Sequence, residues 1–265
     1  MCLILFAHRA HPQHALVVAA NRDELYDRPT AAAGFWADAP DVLAGRDLRE
    51  GGTWMGVTRA GRFAAVTNYR EMPLSRDGKR SRGHLVAGFL RSLASPAAYA
   101  EELAADGDAY NGFNLLVGDG ASLAYVSNRG AGPRVLAPGV YGLSNALLDD
   151  PWPKVVRGKA ALADALAGPD DELEARLFAA LADRGVAPDA ALPQTGVGLE
   201  RERALSAPFI ATPQYGTRCS TVLIVRHEGR ATFAERRVTP GVDAMEESRF
   251  MLDLPSHVPS SVVIA

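Results

Sequence analysis

The sequence predicts an α+β protein in which blocks of strands are separated by blocks of helices. Three observations carry this. Short β-rich runs bounded by turn residues fill the first third, stretches with apolar residues on a 3.6-residue period occupy the middle, and a strong hairpin closes the series. Strand blocks and helix blocks in this order argue for packed layers, not for alternating βαβ units around a parallel sheet. The 265 residues, 48% hydrophobic and 22% charged, have an ordinary globular balance and can bury a sizeable core without staples. No repeat, low-complexity tract or convincing linker interrupts the chain, so a single domain over 1–265 is expected.

Leu3 to His8 is a short apolar run and Ala15 to Ala20 a second. The Pro-containing polar stretch between them suits a hairpin connection. Asn21-Arg22-Asp23-Glu24 follows directly, so the N-terminus begins on a paired strand. Thr53 to Thr58 and Arg62 to Tyr69 make another pair, joined by Arg59-Ala60-Gly61. GRDLREGGTWMG at 45–56 is expected to be a glycine-rich hairpin with Trp54 as a packing residue; it lacks the Gly-Lys-Ser/Thr ending of a phosphate loop and opens no helix. From Gly83 to Leu93, residues Leu85, Val86, Phe89, Leu90 and Leu93 share one helical face. Ser95-Pro96 opens a second helix, to about Ala105, with Ser at the N-cap and Pro at the first helical position.

FNLLVGDG, SLAYVSNR and PRVLAPGVYGLSN return to strand character. A helix from near Pro153 to Leu166 and another from Asp170 to Asp183 follow. Residues 185–205, rich in Pro, Gly and charge, are expected to form an irregular loop over a site. Thr217 to Arg226 and Arg230 to Arg237 form a hairpin through His227-Glu228-Gly229.

Composition excludes several function classes. A net charge of −3 with scattered arginines offers no basic field for nucleic acid. Two cysteines, Cys2 and Cys219, point to a reducing cytoplasmic setting. The first apolar run is too short for a signal-peptide core, and no stretch approaches the roughly 20 apolar residues that span a bilayer, so no membrane insertion is expected. The six histidines have no metal-ligand spacing; a haem-attachment motif, His-Glu-x-x-His and Gly-x-Ser-x-Gly are all absent, and no cofactor motif remains.

Cys2 is the first chemical candidate. Removal of Met1 would leave a thiol and a free α-amine on one residue. An α-amine with a pKa of roughly 7.7–8 can serve as base near neutrality. From position alone, a small apolar residue at a strand start is the commoner reading. In the 21–24 stretch, alternation puts Asn21 and Asp23 on one face, and Arg22 and Glu24 on the other. Asp23 could orient the amine and Arg22 could lower the pKa of a thiol, although surface ion pairs at a strand end explain so short a string equally simply. Asn68 and Asn145 each sit just past an apolar run, where an amide can donate to a developing oxyanion or merely shape a turn. Arg218 at a strand mouth needs a carboxylate or thiolate to face. Its neighbour Cys219 is expected to point the other way, into the core.

Taken in order, MCL, NRDE at 21–24, AGRDLREGGTWMG at 44–56, TNYRE at 67–71, GHLV at 83–86, YNGFNLLVGD at 110–119, YGLSNALLDDPWPK at 141–154, YGTR at 215–218 and TFAER at 232–236 form one series. It resembles the NRDE family, also called the transport and Golgi organisation protein 2 family, over nearly the whole chain. The resemblance implies a four-layer α-β-β-α sandwich of the N-terminal-nucleophile hydrolase type, similar to the penicillin V acylase and bile-salt hydrolase branch. There a cysteine thiol attacks a linear amide and its α-amine carries the proton. The implied catalytic set is Cys2, Asp23 as the aspartate contacting the nucleophile, Asn145 in the oxyanion hole with Asn68 as a further contributor, and Arg218 near the thiol. Those acylases place an arginine three residues before the aspartate. Here that place holds Ala20, and alternation turns the adjacent Arg22 away from Asp23, leaving it no implied role. The partner is a small-molecule amide or, since family members are linked to haem movement, haem held on a hydrolase scaffold. Related acylases often assemble, so the resemblance also allows a homo-oligomer.

Overall fold

The computed structural model describes residues 2–73, 77–239 and 245–255. In chain order the described elements are β1 (Cys2–His8), β2 (His14–Leu25), β3 (Thr30–Trp36), β4 (Ala39–Asp47), β5 (Met55–Thr58), β6 (Phe63–Asn68), α1 (Gly83–Arg91), α2 (Pro96–Ala105), β7 (Phe113–Gly118), β8 (Leu123–Ser127), β9 (Arg134–Val135), β10 (Gly139–Leu143), α3 (Pro153–Leu166), α4 (Leu173–Leu181), α5 (Leu199–Leu205), β11 (Tyr215–Arg226), β12 (Arg230–Arg237) and β13 (Glu246–Asp253). Among the described residues the strands make two antiparallel sheets, ordered β10-β1-β2-β11-β12-β13 and β3-β4-β5-β6-β7-β8-β9.

Three apolar layers stack these elements. Ile4, Phe6, Val18, Ala20, Leu223 and Phe233 of the first sheet meet Leu43, Met55, Val57, Phe63 and Leu116 of the second between the sheets. Leu3, Leu5, Val17, Ala19 and Val222, on the reverse face of the first sheet, pack on Val155, Leu162, Leu177 and Phe178 of α3 and α4. Ala44, Ala64, Leu115 and Val117 pack on Leu85, Val86, Phe89 and Leu103 of α1 and α2. The result is a four-layer α-β-β-α sandwich. β1 lies in its middle, which is why it is apolar at nearly every position instead of alternating.

Local chemistry accounts for much of this. At α2 the Ser95 side chain accepts from Ala98 N–H and Pro96 opens the helix, as the sequence predicts. The GRDLREGGTWMG stretch forms the expected hairpin, since the β4 and β5 it joins pair antiparallel, and Trp54 packs against the core. It runs from the end of β4 through a turn at Gly51, whose φ is +77°, into β5. Gly52 has to be glycine because its backbone lies against Gly83 at the start of α1, where a Cβ would come within 2.6 Å of the Gly83 carbonyl carbon. Strands β3, β4 and β13 have no counterpart in the sequence reading. β3 is Ala-rich with irregular pairing at a sheet edge, and β13, also at an edge, is mostly exposed, so neither shows clean alternation. Residues 185–205 are not wholly irregular, since α5 ends them, and they do pack over buried side chains near Cys2. No helix of the described residues is long and apolar enough to cross a membrane.

Candidate active site

β1 begins at one end of the inter-sheet layer, and there the apolar filling gives way to a cleft of about 260 Å³. Antiparallel pairing sets Cys2 directly opposite Arg22 on β2, and Arg22 in turn opposite Cys219 on β11. Directly opposed residues share a face, so the three form a row along the cleft floor. Cys2 is 6% exposed. Burial pushes its thiol pKa up, and the Asp23 carboxylate adds to that. The Arg22 charge and a hydrogen bond from the Asp23 backbone N–H work in the opposite direction. The Ser144 hydroxyl donates to the Cys2 carbonyl at 3.1 Å and fixes the end of the strand.

Arg22 therefore faces away from the Asp23 side chain, as alternation requires, and toward the thiol side of the sheet. Arg218 also lines the cleft, with Nη1 donating to the Leu25 and Arg28 carbonyls at 2.7 and 3.0 Å. The sequence expectation that Cys219 points away from Arg218 is overturned. A β-bulge between Thr217 and Cys219 breaks the alternation, and both residues line the cleft. Cys219 is buried, and burial together with the neighbouring Glu235 carboxylate pushes its thiol well up. Glu235 ties the two sheets together at this point by accepting from Ala33 N–H of β3 at 2.9 Å.

The second sheet supplies the opposite wall. Asn68 lines it. Asn145, fully buried, stands behind: its Nδ2 donates to the Asn68 carbonyl at 2.9 Å, its Oδ1 accepts from Ser144 at 3.2 Å, and its own carbonyl accepts from Arg70 N–H. Thus Cys2, Arg218 and Asn68 border the cleft, Asp23 touches it but turns its side chain to the other face of β2, and Asn145 is one layer removed. Arg82, just ahead of α1, was not singled out by the sequence. It is half-buried and donates to the Gly112 carbonyl at 3.0 Å; desolvation pushes its pKa down and a negative Cys2 opposes that. Its only sequence signal was a position next to GHLV.

The Asp23 side chain lies on the other face of β2. Thr217 Oγ1 donates to Asp23 Oδ1 at 2.8 Å, and the Tyr215 hydroxyl donates to its carbonyl at 2.9 Å. Burial pushes the carboxyl pKa up, while Lys154, Thr217 and Arg70 pull it down. Arg70 pairs with Glu202 of α5 at 2.7 Å and lies over the Trp152 ring. Glu202 also accepts from Thr195 N–H at 2.9 Å, so the 185–205 segment is pinned against this cluster. Asn21 on the same face donates to the Leu181 and Pro208 carbonyls, both at 2.9 Å.

The chain is a four-layer α-β-β-α sandwich with a cysteine on its first strand, at the mouth of the inter-sheet cleft. The chain belongs to the family described as Transport and Golgi organisation 2, whose model matches residues 1–240. It is 43% identical over 256 residues to the Transport and Golgi organization protein 2 homolog of Bos taurus, covering 89% of this chain and 92% of that one. It is 39% identical over 257 residues to the Homo sapiens homolog, with the same two coverages. Among solved structures, the Caenorhabditis elegans N-acylethanolamine-hydrolyzing acid amidase ortholog overlays with a TM-score of 0.49 at 11% identity, covering 84% of this chain and 92% of that chain.

Proposed function

We propose that this protein is a cysteine hydrolase of a linear, non-peptide amide bond in a small polar molecule, with Cys2 as nucleophile and, once Met1 is removed, its own α-amine as base. The observation that carries this reading is the placement of Cys2: a thiol on the cleft floor, opposite Arg22 and contacted by the Asp23 backbone N–H. The amine takes the thiol proton and the sulfur attacks the amide carbon. The C–N bond breaks as the leaving nitrogen takes that proton back. Water then attacks the thioester carbon, which releases the acid and restores the thiol. Asn68, on the cleft wall, is the oxyanion donor in this scheme, with Asn145 holding its main chain. Arg22, Arg82 and Arg218 supply the positive field that favours a thiolate. Asp23 orients the amine.

A small polar substrate suits the cleft better than haem. Its volume is near the lower limit of ligand pockets, about 300 Å³. Charged side chains dominate the lining, Trp54 is the large apolar exception, and among the described residues no histidine faces it. Two free cysteines are in keeping with cytoplasmic action.

The test begins with the intact mass of protein from its own host, before and after a brief iodoacetamide pulse at neutral pH. The expected result is a chain lacking Met1 in which Cys2 alkylates at least about tenfold faster than Cys219, whose thiolate the Glu235 carboxylate disfavours. A screen of linear amides should then give turnover that Cys2→Ala abolishes while folding survives. Retention of Met1, or full turnover by Cys2→Ala, would sink the reading.

A further inference from the structure

Lys154, the second residue of α3, is 1% exposed, and among the described residues its Nζ has no hydrogen-bond partner. Three costs meet here. An ammonium is buried, it is left without an acceptor, and it sits in the first turn of a helix, where the macrodipole is itself positive. The charged groups around it come from four separate elements: Asp23 on β2, Cys2 on β1, Arg70 just beyond β6 and Glu202 on α5. Tyr215 and Thr217 of β11, which close the Asp23 side of the cluster, are neutral hydroxyl donors. The thiol has Arg22 beside it and Arg82 near it, both across the sheet from the lysine.

The charge count is informative. Asp23 and Glu202 bring two negative charges, and Lys154 and Arg70 bring two positive ones. Arg70 makes a direct ion pair with Glu202, and Lys154 is the positive charge that draws the Asp23 carboxyl down most. The buried cluster is therefore neutral when the Cys2 α-amine is unprotonated. The register that sets Cys2 opposite Arg22 carries the Cys2 nitrogen alongside Asp23. Without Lys154, the best partner for a buried carboxylate at that point would be the Cys2 ammonium, and an amine held as ammonium is no base.

We propose that Lys154 is a positioning residue of the Cys2 site: its ammonium neutralises Asp23, so the carboxylate orients the Cys2 α-amine without trapping it in the protonated form. This deepens the hydrolase reading above and rests on it. It also accounts for a buried lysine that makes no hydrogen bond among the described residues, since its contribution is charge and not contact.

The chain has two cysteines, so cysteine labelled with carbon-13 gives two sets of signals, and Cys219→Ser assigns them. Titration of the Cys2 signals in the full-length protein reads the amine directly and needs no substrate. Lys154→Met should move the amine titration up by about one unit, the effect of losing one nearby opposite charge on Asp23. Lys154→Arg should return it toward the wild-type value. Dispersed labelled signals report that each variant is folded, and Lys154→Gln, which keeps a polar group, carries the test should the methionine variant not fold. A free Cys2 amine that titrates at the same pH in wild type and variants overturns the role of Lys154 and leaves the hydrolase reading standing. A chain that keeps Met1 overturns both.

Discussion

The two faces of β2 between residues 21 and 24 hold the same kinds of side chain in opposite settings. On the cleft face, Arg22 and Glu24 lie among arginines and carboxylates that solvent reaches, and at the rim Arg28 bonds Asp47 at 2.6 Å with both side chains partly exposed. On the helix face, Asp23, Lys154, Arg70 and Glu202 are sealed beneath α3 and α5, and the Arg70–Glu202 pair is nearly inaccessible. Geometry alone would rank the two ion pairs as equals. Solvent separates them: water can replace a partner lost at the rim, whereas nothing replaces one lost in the sealed cluster.

The largest effect follows from removing one sealed partner. Glu202→Ala leaves the Arg70 guanidinium buried without its carboxylate, and should cost about 3–5 kcal/mol. A urea unfolding midpoint unchanged from wild type would show that the cluster is wetter than its burial implies. Lys154 gives the next effect, and its sign follows from linkage. Burial lowers its pKa from 10.5 to about 8, so between those values the unfolded chain holds a proton that the folded chain has released. The contribution of Lys154 to stability should therefore rise as pH increases through that window, with its penalty fully present below pH 8. That contribution is about 3 kcal/mol, and Lys154→Met should remove it. Parallel stability profiles for the two proteins from pH 7.5 to 10.5 would contradict this. The rim should respond least. Asp47→Ala removes a partly solvated ion pair and a turn contact to Arg49 N–H, and the loss should be about 1 kcal/mol, shrinking in salt. A loss at Asp47 equal to that at Glu202 would erase the distinction between the faces.

The stretch 21–24 also marks the limit of what local pattern conveys. Alternation correctly separates Asn21 and Asp23 from Arg22 and Glu24, because a strand's period of two is a property of its own backbone. It does not say which face is wet, and Arg22, which the resemblance leaves without a role, turns out to share the face of the thiol. At Cys219 even the period fails, since the bulge after Thr217 is imposed by pairing with β2 and not by the residues of β11 themselves. Arg82 and Lys154 were invisible for a related reason. One precedes a helix and the other begins one, positions where a basic residue is usually solvated, and only packing across 80 or more residues brings them to Cys2 and Asp23.

By itself, the sequence determined the elements whose signals are local: the apolar run of β1, the Ser95-Pro96 start of α2, the closing hairpin of β11 and β12, and the ordered motifs that mark the family. It also singled out Cys2, because a cysteine at the second position is a fact of order along the chain. Only the tertiary structure decided which side chains surround that cysteine, which asparagine reaches the cleft, and which charges are sealed behind it. Periodicity and capping are energies within a segment, while the field at a thiol is a sum over groups that folding alone brings within a few ångströms of one another.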